Sequence, residues 1–107
     1  MTGACLQVSV SATSREEADR ITRTAVERRL AACGQVSGPV RSTYHWEGRI
    51  EQSDEWLCLL KTTGARFTEL ERLIKTLHSH RNPEIVATPI AQASDDYLDW
   101  LRAETAS

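Results

Sequence analysis

Long apolar runs, an excess of one charge and paired cysteines are all missing from this 107-residue chain. No apolar stretch approaches the ~18 residues a membrane span needs, which excludes a transmembrane helix and predicts no membrane partner. No basic run followed by an apolar run opens the sequence, so no secretory signal is read and a cytoplasmic location is expected. Lys and Arg total 13 against 15 Asp and Glu, a formal net charge of −2. That balance gives no pull toward phosphate backbones, and nucleic acid is not expected as a partner. The three cysteines, Cys5, Cys33 and Cys58, are odd in number and far apart. That number and spacing argue against a disulfide framework and a structural zinc knuckle, and reduced thiols are expected. Repeats, linkers and low-complexity segments are absent, as are Gly-x-Ser-x-Gly, His-Glu-x-x-His and P-loop motifs.

What remains is one ordinary globular domain spanning residues 1–107, with 40% hydrophobic and 26% charged residues. Leu6, Val8, Val10 and Ala12 alternate with Gln7, Ser9 and Ser11, the period-two signature of a strand. Ser14 followed three residues later by Glu17 reads as a capping box. Ala18, Ile21, Ala25, Val26 and Leu30 then recur at helical spacing, predicting a helix over about 15–32 that Gly34 stops. A hairpin follows. Ser42, Tyr44 and Trp46 share one face, Arg41, Thr43 and His45 the other, and Glu47-Gly48-Arg49 is the turn. Ile50 begins the return, and the polar stretch 51–54 delays the main strand to 55–62.

That strand is apolar on both faces, with Trp56, Cys58 and Leu60 on one and Leu57 and Leu59 on the other. Such a strand must be covered on both sides. Phe67, Leu70, Leu73, Ile74 and Leu77 form the cleanest helical stripe, which gives out near His78. Asn82-Pro83 leads into a strand at 85–87, and Pro89, which cannot donate a ladder hydrogen bond, predicts that this strand lies at a sheet edge or is bulged there. Ser94 caps a last helix carrying Tyr97, Leu98, Trp100 and Leu101.

This order predicts an α+β, ferredoxin-like β-α-β-β-α-β sandwich with a C-terminal helix. Two helices cover only one side of such a sheet. The other side is left for a partner subunit or for the terminal helix, and homo-oligomerisation is the expectation drawn from the doubly apolar strand.

Five segments in register resemble the CutA family of divalent-cation tolerance proteins. They are 29–33 (RLAAC), 42–50 (STYHWEGRI), 55–62 (EWLCLLKT), 83–90 (PEIVATPI) and 97–101 (YLDWL). The resemblance implies a tight homotrimer, similar in structure to the PII signalling proteins, with no catalytic reaction. It implies an association with tolerance to copper and other divalent metals, with weak copper binding and no required cofactor. The family's His-Pro-Tyr-x-x-Pro segment is here His78-Ser79-His80-Arg81-Asn82-Pro83, which loses an aromatic and gains an imidazole.

The resemblance marks Cys33 as a metal-ligand candidate, a soft thiolate suited to Cu(I). The alternative is a cysteine packed where the helix meets the sheet. His78 and His80 are two apart, so an extended backbone turns both imidazoles toward one cation, with two solvated histidines as the alternative. Tyr44, Trp46, Lys61 and Glu84 are assigned to an inter-subunit cleft, where Lys61 could clamp a small anion. That defines a second functional reading, a PII-like trimer binding an anionic metabolite between subunits. An RNA-recognition module lacks the required stacking and basic surface, and an acylphosphatase-like loop lacks its glycine cradle.

Overall fold

The computed structural model describes residues 3–106. Strand β1 spans Cys5–Ala12, helix α1 Arg15–Glu27, β2 Cys33–Trp46, β3 Arg49–Thr63, α2 Gly64–Leu77, β4 Ile85–Pro89 and α3 Asp95–Glu104. The four strands form one sheet in the order β2-β3-β1-β4, every neighbouring pair antiparallel. This is the ferredoxin-like order, and β4 lies at an edge, one of the two placements that Pro89 allows.

Val8, Val10, Cys58 and Leu60 point to one side of the sheet and are fully buried there against Ala18, Ile21, Ala25, Leu70 and Ile74 of α1 and α2. Full burial of such side chains contributes ~1.5–3 kcal/mol each. On the other side α3 covers only one end. Leu101 packs with Cys5 and Ala32, flanked by Ile90, Tyr97 and Leu98. Leu57 and Leu59, also on that side, are half-buried, and Val86 is exposed.

Helix α1 ends five residues earlier than its periodicity predicts. Arg29 takes a left-handed φ of 58°. The Leu30 amide then donates to the Ala25 carbonyl and the Arg29 amide to that of Val26, the paired bonds of a Schellman stop. The apolar residues Leu30, Ala31 and Ala32 that extended the helical pattern are buried as connection instead. Gly34 is therefore not the helix stop. It is the second residue of β2, where a β-carbon would stand 2.5 Å from Thr22 Cγ2 and 2.6 Å from Leu60 Cδ2.

The hairpin is longer than the residues announce, because residues 33–40 and the polar 51–54 all belong to its strands. Its turn has positive φ at Glu47 and Gly48, as a two-residue type I′ turn demands. A bulge between Ser37 and Val40 adds one residue to β2. Because side chains alternate with period two, that residue reverses the facing of everything beyond it. Val36 faces the helices; Val40, Tyr44 and Trp46 face the open side. Gly38 makes the bulge possible. Its φ is +151°, and a β-carbon there would meet the Trp56 ring at 2.7 Å.

Gly34→Ala should lower stability by roughly 1–3 kcal/mol, the usual cost of an extra methyl in a filled core. Urea unfolding would read this as a lower midpoint; an unchanged midpoint would mean that Thr22 and Leu60 yield freely.

Candidate functional site

The candidate residues fall into three separate places. Cys33 opens β2 directly opposite Lys61 of β3, on the open side of the sheet. It is half-buried, and its Sγ lies 3.4 Å from Tyr97 Oη of α3. That hydrogen bond, with burial and the nearby sulfur charge, pushes the Tyr97 phenol up to about 12. Tyr97 therefore stays protonated through neutral pH and offers the sulfur a hydrogen-bonding neighbour, not a charged one. Sequence patterning placed Tyr97 only on the stripe of the last helix. Cys58, by contrast, is fully buried, and burial pushes its thiol up. It is a core residue.

The second place lies where α2 meets the β1–α1 turn. His78 follows α2 with extended φ and ψ of −80° and 142°, and the His78 and His80 rings approach to 5.5 Å between centroids. The histidines are thus brought together, but the His78 side chain is only 1% exposed. Its Nε2 lies 2.6 Å from the Ser11 carbonyl oxygen, and its Nδ1 accepts from the His80 amide at 3.0 Å. The first contact needs an N–H and the second a lone pair, which fixes the neutral Nε2–H tautomer. Both nitrogens are engaged, so coordination by His78 has to break one of these bonds. The alternative of two solvated histidines holds for His80, which is exposed, and not for His78, whose side chain is enclosed.

Glu17, which the residues announced only as half of a capping box, closes this cluster. The Ser14 hydroxyl accepts from the Glu17 amide at 3.1 Å, as a cap should. The Glu17 carboxylate does not return to Ser14. It accepts from the Thr13 amide and the Ser79 amide, both at 3.0 Å, and lies 3.6 Å from His78 Nε2. Burial alone would raise its pKa. The hydrogen bonds from Thr13 and Ser79 outweigh that and hold it below the ordinary carboxylate value.

The third place is the hairpin. Tyr44 and Trp46 face the open side and are exposed, with Tyr44 Oη 3.2 Å from Ser53 Oγ. Tyr44 pairs with Glu51, ten residues along β3 from Lys61. At the usual rise this is about 33 Å. Glu84 is exposed just before β4, apart from both. Within one chain, then, Tyr44, Trp46, Lys61 and Glu84 do not make a single cleft. Among the described residues, no three His, Cys, Asp or Glu side chains converge as a metal cage.

The sequence profile of the CutA1 divalent ion tolerance protein matches residues 6–104. The chain is 43% identical over 98 residues to the divalent-cation tolerance protein CutA of Thermus thermophilus, covering 92% of this chain and 95% of that one. This chain belongs to the CutA family. The solved structure of the Thermus thermophilus protein superposes with a TM-score of 0.94 at 41% identity, over 95% of this chain and 99% of the other. A CutA from Archaeoglobus fulgidus, described as periplasmic, gives 0.92 at 34% identity over 95% and 99%. The resemblance drawn from five short segments thus extends to the family and to its fold.

Replacing the Glu17 carboxylate by an amide, Glu17→Gln, should cost about 1–3 kcal/mol at neutral pH, as expected for buried hydrogen bonds to a charged acceptor. A carboxyl whose folded pKa is depressed stabilises above its unfolded pKa and loses that contribution as pH falls through the folded one. The gap between wild type and variant in chemical denaturation should therefore be full above about pH 4.3 and shrink below it. A gap independent of pH would mean that the ionised form is not what matters.

Proposed function

We propose that this protein is a non-enzymatic homotrimer serving divalent-cation tolerance, binding copper weakly and requiring no metal to fold. The observation that carries the assembly is the open side of the sheet. Leu57, Leu59, Val40, Tyr44, Trp46 and Val86 all face that side, α3 shields only its far end, and six side chains of this kind are what an interface buries. Docking one chain's hairpin on another would also reunite Tyr44 and Trp46 with a neighbour's Lys61, which the ~33 Å separation within a chain prevents. Light scattering should give three chains per particle down to low micromolar concentration; a well-folded monomer there would sink the proposal.

For copper, the donor set favours Cys33 over the histidines. Its sulfur is soft, partly accessible and placed on the side where a second chain would dock. His80 has an exposed ring, whereas His78 must give up Ser11 or the His80 amide to bind. Calorimetric titration of copper should lose most of its heat in Cys33→Ala and little in His78→Ala/His80→Ala. The opposite pattern would move the site to the histidine pair. Chelator alone should leave the fold intact at neutral pH, since no ligand cage stands among the described residues.

The three free cysteines fit a reducing compartment, and cytoplasm is the location we assign. A second reading, a PII-like trimer that holds a small anion between subunits, is favoured by Lys61. That cation is half-buried and has no ion-pair partner among the described residues. Thermal stabilisation by Cu, Zn or Ni supports the first reading; stabilisation by nucleotides or carboxylates supports the second.

A further inference from the structure

Helix α3 is fastened to the rest of the chain unevenly. Of its ten residues only Leu101 is fully buried, against Cys5 and Ala32, in a small cluster apart from the main core. At its N-terminal end the Ser94 side chain makes no capping bond, and residues 91–94 leading into it are exposed and irregular. The C-terminal end is held from outside the helix. Arg66 of α2 donates from Nε to the Thr105 carbonyl at 2.7 Å. Arg29, after α1, donates from Nη1 to the Glu104 carbonyl at 3.2 Å and lies 3.5 Å from Glu104 Oε2. The last carbonyls of a helix have no amide partners within it and carry its negative dipole end, so two guanidinium groups satisfy both demands.

The backbone of Arg29 is a second, independent observation. Its φ of 58° lies in the left-handed region, where glycine is at ease and a longer side chain is strained. Arginine stands in a position that suits glycine, and what its side chain does there is hold α3. Beneath α3 lie two of the three thiols. Cys5 is 4% exposed under Leu101, and the Cys33 sulfur has the Tyr97 hydroxyl 3.4 Å away. Cys58 belongs to the other core, on the opposite side of the sheet. An element with so little buried apolar surface opens locally at a lower cost than global unfolding.

We propose that α3 is a lid, latched at its C-terminal end by Arg29 and Arg66, that opens as a unit and governs access to Cys33 and Cys5. Its consequence for copper rests on the reading of Cys33 as the ligand; the motion itself does not. With the lid closed, Tyr97 stands against one side of the sulfur, and a second donor to a Cys33-bound ion has to displace it.

The test is the rate at which N-ethylmaleimide labels each cysteine of the full native chain, read by peptide mass spectrometry, with Cys58 as the internal reporter of global unfolding. Cys5 should label faster than Cys58 in the wild type. Arg29→Gly and Arg66→Gln should each raise the ratio of Cys5 to Cys58 labelling by roughly tenfold, as for a lost hydrogen bond from a charged group. Arg29→Gly also relieves the backbone, so a faster Cys5 in that variant is not the result of a damaged turn. A ratio unchanged in either variant would overturn the two-arginine latch, and Cys5 labelling in step with Cys58 throughout would overturn the lid. Cu(I) uptake under reducing conditions, measured on the same variants, should be faster than in the wild type and lost in Cys33→Ala. If the ratio rises and no variant takes up Cu(I), the lid stands and the copper reading falls. If the ratio stays fixed while Cu(I) still binds through Cys33, the lid falls and the copper reading stands.

Discussion

Strand β3 is apolar on both faces, and two helices can cover only one of them. Most of the molecule follows from that imbalance. Trp56, Cys58 and Leu60 are taken up by the layer of α1 and α2, and this sandwich forms the main core. Leu57 and Leu59 look the other way, where α3 reaches only the end marked by Cys5, Ala32 and Leu101. A sheet half-covered in this manner is a surface waiting for another apolar surface. The ordering of copies around it is the proposal that links the fold to everything functional.

The hairpin extends the same logic. Its length gives the chain a long axis of 44 Å against 25 and 22 Å for the others. The bulge at Gly38 turns its aromatic residues to the side that Leu57 and Leu59 also face, so the open surface continues beyond the reach of any helix. One added residue in β2 accomplishes this, and the missing β-carbon of Gly38 makes room for the Trp56 ring against it.

Much of this was legible in the residues because it rests on period. The alternation at Leu6, Val8 and Val10, the stripe from Phe67 to Leu77 and the two-faced pattern of β3 each announce an element whose burial then agrees. The end of α1 was not legible. Arg29 occupies a left-handed position that glycine usually fills, and its guanidinium lies 3.2 Å from the Glu104 carbonyl oxygen, a tertiary contact that no local pattern encodes. The first half of β2 was hidden for a similar reason. Gly34, Gly38 and Pro39 argue against a strand by propensity, yet close packing under Thr22 and against Trp56 requires the two glycines. Of the candidate site, the approach of His78 to His80 followed from an extended backbone. The burial of His78 between Ser11 and Glu17 did not, since residues 11, 17 and 78 meet only through the fold.

The central claim is that the Leu57–Leu59 side of the sheet is the surface on which copies of this chain assemble. Sedimentation velocity on the double variant Leu57→Glu/Leu59→Glu tests it most directly. Both side chains point away from the helix-covered core, so the subunit should retain its helical circular dichroism. The account predicts that the variant sediments as single chains where the wild type sediments as three. A folded variant that still sediments as three chains would contradict it.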